Sequence, residues 1–333
     1  MTVQITIIGM GQIGTSIGLA LAEHTNMVYR VGHDKEIAAA NLAQKSGALD
    51  RVDINIPHAV EDAGLVILAV PLDELRDTLK AVAQDVRPDV VVIDTSPVKE
   101  SVLTWAKELL PAHAHYIGVV PVINPEYLQT HDSGAEAAHA DLFHKGLLAI
   151  VPARGVPAEA IKLVTDLGHI LGAEHLFIDP TELDSVMTTT HLLPQLMAAA
   201  LLNMTVERPG WREARMLTGR PYAAAVDPAV SFDPSAALAE AALGSREHVL
   251  RGIDALIENL SDLREDVRNQ DAVALTRRLE HARQGHERWL SERKAANWGA
   301  AERASKMETP TVQDFFGRMI GMRRRRKDPD PRR

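Results

Sequence analysis

The 333-residue chain exceeds the size at which one hydrophobic core usually stops growing, so two domains are expected. Its 46% hydrophobic and 24% charged residues are ordinary for a soluble globular protein, and the absence of cysteine excludes disulfides, thiolate metal sites and cysteine nucleophiles while suiting a reducing compartment. The net charge of −9 hides an asymmetry: residues 323–333 hold seven Lys/Arg and two Asp, a charge of +5, leaving −14 elsewhere, which argues against a nucleic-acid groove on the folded body.

The N-terminus enters a strand pattern with no basic and apolar leader, and no stretch approaches eighteen apolar residues, so a cytoplasmic, non-spanning protein is expected. From Val3 to about Ile178 short β-branched runs alternate with helical stretches. The runs are VQITII, MVYRVG, LVILAV, VVVID, HYIGVV, LLAIV and HLFI, several of them apolar on both faces. Such runs fit strands of a mainly parallel sheet covered by helices such as IGTSIGLALAEH and VPAEAIKLVTDLGHILG. The class is α/β, doubly wound, over residues 1–179. From Pro180 to about residue 300 the pattern turns all-helical, with stretches at Thr181–Val206, Ser235–Asp266 and Asp271–Glu292, and a loop rich in Pro and Gly after the first.

Residues 301–333 differ again. Val312, Phe315, Phe316, Met319 and Ile320 mark a short amphipathic helix, and RRRRKDPDPRR after it is expected to be disordered. A helix beside a basic cluster can bind an anionic membrane surface, but packing on the body or on a second subunit is the expectation and a membrane partner is not.

The strongest motif is ITIIGMGQIGTSIG, which places Gly9, Gly11 and Gly14 in G-x-G-x-x-G register between a strand and a helix. Gly9 permits the tight turn, Gly11 leaves room for a pyrophosphate, and Gly14 lets helix and strand approach. Free N–H groups at the helix start, around Gln12 and Ile13, face the phosphates. The next strand ends in Asp34, whose carboxylate suits both ribose hydroxyls and repels a 2′-phosphate, so NAD is expected over NADP despite His33 and Lys35 alongside. LAVP and IDTS finish two more strands at the same edge: Val70 and Pro71 are expected against ribose and nicotinamide, while Thr95 and Ser96 offer hydroxyls near the reacting carbon or cap the helix that follows.

IIGMGQIGTSIGLAL, VGHD, AGLVILAVP, DTSPVK, HYIGVVP, LFHKGLLAIVP and THLLPQLMAAAL, in that order, resemble the prephenate and arogenate dehydrogenase family over residues 1 to about 293. The resemblance implies a Rossmann-type NAD domain and a helical domain that forms a homodimer and closes the substrate cleft. It also implies the reaction: hydride leaves the ring carbon bearing a hydroxyl, carbon dioxide departs, the ring becomes aromatic, and a base, usually histidine, takes the hydroxyl proton. Three family positions depart. Val120 stands where the strand-end histidine belongs, Pro97 where a serine does with Ser96 one place earlier, and Leu192 and Gln195 where two histidines stand with His191 one place earlier.

Losing a base costs about 10²- to 10⁴-fold in rate, about 3 to 6 kcal/mol, so a substitute is required. His191, Asn124 and Glu126 are the candidates, His191 first, although its helix must shift locally to aim it. Arg212 and Arg215, with Arg220, lie where the family has an arginine stretch and suit a carboxylate substrate. The histidines lack metal-ligand spacing. Two other readings stay open: a β-hydroxyacid or imine-type dehydrogenase, and a catalytically impaired NAD-binding regulatory protein.

Overall fold

The computed structural model describes residues 2–130, 133–206, 208–296 and 298. Contacts divide the chain into one compact unit up to Pro180 and a second that begins at Thr181. The expected amphipathic segment and basic tail, 301–333, lie outside the described residues.

The first unit is built on an eight-stranded sheet of β1 (Val3–Ile8), β2 (Val28–His33), β3 (Arg51–Val52), β4 (Ala63–Leu68), β5 (Val91–Asp94), β6 (His115–Val122), β7 (Leu147–Pro152) and β8 (Glu174–Phe177), in the order β3-β2-β1-β4-β5-β6-β7-β8. All seven expected runs form strands; the two-residue β3 is too short to leave a periodic signal. Every neighbouring pair is parallel except β6 and β7. Among the described residues of 123–146, between those two, there are only the 3₁₀ turns Pro125–Tyr127 and Ala135–Ala137 and no crossover helix, and the chain returns antiparallel. All six residues of β4 are buried, as a strand covered on both faces requires. The cover comes from α1 (Gln12–Ala20), α2 (Ile37–Lys45), α3 (Ile56–Val60), α4 (Leu72–Val82), α5 (Glu100–Leu109) and α6 (Ala158–Ile170).

The chain winds outward from β1 through β2 to β3 and then crosses to β4 on the other side of β1. Strand order therefore reverses between β1 and β4, and their carboxyl ends open the crevice where such sheets bind ligands. Arg30 of β2 is 3% exposed and ties this side together. Its guanidinium pairs with Asp50 at 2.8 Å and donates to the carbonyls of Gly18 and Gly47 at 3.0 and 2.8 Å.

The second unit is helical among its described residues: α7 (Pro180–Met187), a π turn (Thr188–Leu192), α8 (Leu193–Val206), α9 (Trp211–Leu217), α10 (Arg220–Val226), α11 (Ser235–Gly244), α12 (Arg246–Arg268) and α13 (Ala272–Ala295). Two expectations are corrected. The Pro- and Gly-rich stretch expected as loop holds α9 and α10, because Gly210 and Gly219 are N-caps and Pro221 sits in the first turn of α10, where its missing N–H costs nothing. The single helix expected over Ser235–Asp266 breaks at Ser245, whose ψ of 32° is not helical. A reversal at Gln270, in left-handed backbone at φ 54°, joins α12 to α13, and Asp271 caps α13 by accepting the Ala274 N–H at 2.9 Å. Among the described residues no helix is long and apolar enough to cross a membrane.

Candidate functional site

β1 delivers the chain directly into the glycine turn. Gly9 adopts φ 94°, and a Cβ there would lie 2.3 Å from the Ala69 carbonyl oxygen, so only glycine fits. A Cβ on Gly14 would lie 2.0 Å from the Gly9 carbonyl oxygen, the close helix-to-strand approach expected. Gly11 differs: a Cβ there meets nothing within 4 Å, so the absent side chain leaves open space rather than filling a packing need. Gly11 is also the N-cap of α1, with no side-chain cap and no acidic residue in the first turn. The first N–H groups of α1 and the positive end of its dipole thus meet a vacant surface, which fits an anion such as pyrophosphate. Gln12 and Ile13 stand at this helix start; the Gln12 side chain donates to the Ala137 carbonyl at 3.0 Å.

Asp34 follows β2 and is half-buried. One carboxylate oxygen accepts the Met10 N–H at 2.6 Å and the other accepts the Glu36 N–H at 2.8 Å, so the side chain braces the glycine turn and keeps a second lone pair on each oxygen. A cleft of about 100 Å³ opens beside it, lined by Gly9, Asp34, Lys35, Ile56, Val70 and Glu74 among others. Val70 and Pro71 follow β4, and Pro71 is the N-cap of α4. His33 is turned inward, its Nδ1 2.9 Å from the Asp53 carbonyl oxygen.

The turn after β5 carries a buried ionic cluster that reading the sequence missed. Lys99 and Asp94 are both fully buried and paired at 2.7 Å. The Lys99 ammonium also donates to the Ser96 carbonyl at 2.7 Å, and Tyr116 OH donates to the second Asp94 oxygen. Ser96, only 4% exposed, has its hydroxyl against Asp94 and the Val98 carbonyl. Thr95 is half-buried, with its hydroxyl 3.4 Å from the Leu68 carbonyl. Neither hydroxyl caps α5, which begins after Lys99. The signal available was the D-T-S-P-V-K spacing, but a lysine and an aspartate five apart ordinarily read as surface.

Val120 is buried in β6 opposite Ala149 of β7. Asn124 is 5% exposed and its amide is committed locally: Oδ1 accepts the Glu126 N–H and Nδ2 donates to the Asp141 carbonyl. The loop it anchors packs on α1, with the His139 N–H donating to Ser16 Oγ at 3.0 Å and the Tyr127 and His139 rings stacked at 4.4 Å. Through these contacts the loop buttresses α1 and the glycine turn at its start.

In the second unit, His191 lies in the π turn Thr188–Leu192. A π turn holds one residue more than an α turn, so side chains before it are rotated by one position relative to those after it. His191 thus stands within an offset of one position, and it is one place early relative to Pro194. Its Nε2 lies 2.6 Å from Asp233 Oδ2. Gln195, 2% exposed, donates to the same oxygen at 2.8 Å and to the His191 carbonyl at 3.1 Å, and accepts the Asp233 N–H at 3.2 Å. Burial alone would raise the Asp233 carboxyl, but the His191 hydrogen bond and charge and the Gln195 amide outweigh it and hold it below its ordinary value. Asp233 was not legible as a site residue, because only the fold brings it to a histidine 42 residues away. Arg212 and Arg215 sit exposed on α9 and pair with no carboxylate among the described residues.

Residues 17–176 match the family model described as prephenate dehydrogenase, nucleotide-binding domain. Cyclohexadienyl dehydrogenase of Zymomonas mobilis subsp. mobilis is 30% identical over 200 residues, 60% of this chain and 66% of that protein. Prephenate dehydrogenase of Bacillus subtilis is 26% identical over 202 residues, 60% of this chain and 53% of that protein. The chain thus spans between about half and two thirds of the length of these relatives. Among solved structures, prephenate dehydrogenase from A. aeolicus in complex with hydroxyphenyl propionate and NAD+ has a TM-score of 0.74 at 19% identity, covering 86% of this chain and 98% of that one, a likeness of fold.

Proposed function

Because the chain belongs to the prephenate and arogenate dehydrogenase family, we propose that it oxidatively decarboxylates a cyclohexadienyl carboxylate such as prephenate or arogenate with NAD, in tyrosine biosynthesis. The observation that carries this reading is the open face of Gly11 at an uncapped helix start beside Asp34. In it, Gly9, Gly11, Gln12, Ile13 and Gly14 hold the pyrophosphate, Asp34 takes the adenosine ribose hydroxyls, and Val70, Pro71 and Thr95 flank the nicotinamide end. Bound NAD supplies the hydride acceptor.

The remaining chemistry falls to the chain. With Nε2–H donated to Asp233, the His191 imidazole is fixed as the tautomer with a basic Nδ1, which takes the proton from the substrate hydroxyl. Asp233 then stabilises the imidazolium, and Gln195 fixes Asp233 from the other side. His191 thereby substitutes for the histidine absent at Val120. Ser96 and Asn124 act by holding the turns after β5 and β6. Arg212 and Arg215 supply the charges for the substrate carboxylates.

The second unit is proposed to pair with a second copy. Leu250, Ile257, Leu260 and Val267 recur along α12 at spacings of seven, three and seven, and all are exposed, which suits a helix seam between two chains. A cytoplasmic setting accords with the cysteine-free composition. The test is NADH formation at saturating NAD with prephenate and with arogenate; no turnover with either would end the reading.

A further inference from the structure

The cleft beside the glycine turn holds an ion pair that the family likeness does not account for. Lys35 directly follows Asp34, and its ammonium lies 2.5 Å from a carboxylate oxygen of Glu74 in the first turn of α4. Lys35 and Glu74 both line this cleft with Gly9, Asp34 and Val70, and Lys35 is its one lysine or arginine among the described residues. The two side chains are 39 residues apart in sequence and come from the segments that follow β2 and β4, so they meet across the crevice. They are 65% and 33% exposed, so neither is held in place by packing.

A 2′-phosphate on the adenosine ribose carries close to two negative charges at neutral pH and needs a cation beside the end of β2. Lys35 is placed to be that cation, but its charge is engaged by Glu74. The cleft as built presents two carboxylates against one ammonium. Resting on the nucleotide reading above, we propose that Glu74 is a specificity-determining residue: by engaging Lys35 it withholds from a 2′-phosphate the cation that lines this cleft among the described residues, and so reinforces the preference of Asp34 for NAD.

The test is fluorescence titration of NADH and NADPH, without substrate, on the full chain and on Glu74→Gln, Lys35→Met and the double variant, with thermal melts to verify folding. Glu74→Gln is expected to tighten NADPH binding at least about fivefold, the scale of one exposed charge pair gained, and to leave NADH within about twofold. The double variant is expected to lose that gain, because no ammonium remains to be released. Unchanged NADPH binding in Glu74→Gln overturns the inference, as does a gain that persists without Lys35. If the unsubstituted chain binds NADH and these variants respond flatly, this inference alone falls; if it binds neither nucleotide, the nucleotide reading falls and takes this inference with it.

Discussion

The three glycines of the first turn have separable functions, and single alanine substitutions should divide them. Gly11 sits at φ −73° and ψ −164°, extended backbone that any residue adopts, and its Cβ meets nothing within 4 Å. Gly11→Ala should therefore leave the fold intact, with a stability change within ~1 kcal/mol, because the gain from a less flexible unfolded chain is offset by alanine's poorer N-cap. The methyl group would occupy the space through which a pyrophosphate reaches the α1 N–H groups. Losing one or two charge-assisted hydrogen bonds at about 1.5–3 kcal/mol each weakens NADH about tenfold to more than a thousandfold. Gly14→Ala should do the reverse, since its Cβ would lie 2.0 Å from a backbone oxygen and one of the two segments must move, costing at least ~1–3 kcal/mol of stability. Calorimetric NADH titration beside thermal unfolding reads both effects. A Gly11→Ala protein that binds NADH normally, or one that unfolds, would refute the assignment of that open face to a phosphate.

Other consequences are equally accessible. His191→Gln should lower the rate of NADH formation by about 10²- to 10⁴-fold while leaving NADH affinity unchanged, and Asp233→Asn should share much of that loss; full-rate turnover by His191→Gln excludes it as the base. Burial alone would raise the Asp50 carboxyl, but its bonds to the Arg30 side chain and N–H outweigh this and hold it below its ordinary value. That contribution is therefore present above the unfolded-state value and is lost as pH falls through the folded one. Asp50→Asn leaves the Arg30 charge buried without its counter-ion, at a cost of about 2–3 kcal/mol, and should flatten the acid limb of a stability profile followed by circular dichroism. Ile257→Asp with Leu260→Asp should convert a dimer to monomers in light scattering; an unchanged mass places the contact elsewhere.

Most of the first unit was legible because its strands are buried on both faces and separated by turn residues, so that each run announces itself. What escaped was set by partners distant in sequence. Asp94 closes a strand run and Lys99 precedes a helical stretch, and nothing in one dimension shows the two paired and fully enclosed with Tyr116. Gly210, Gly219 and Pro221 read as breakers, though the same residues start helices as well as end them. The interruption at Ser245 carries no proline to mark it. Of the candidate site, the glycine turn with Asp34 beside it was legible because its geometry is local, and His191 was legible only as a candidate in need of help. The help itself, a carboxylate 42 residues onward and a glutamine one turn away, exists only after folding.

The helix that carries His191 runs in two phases. Ahead of Thr188 its side chains follow one angular count and beyond Leu192 another, offset by about 100° around the axis. Removing one residue of that segment other than His191 would close the offset and turn the side chains ahead of it by about 100° relative to everything behind Leu192, Asp233 included. A step of one residue here is thus as large as the angle between neighbouring positions on a helix.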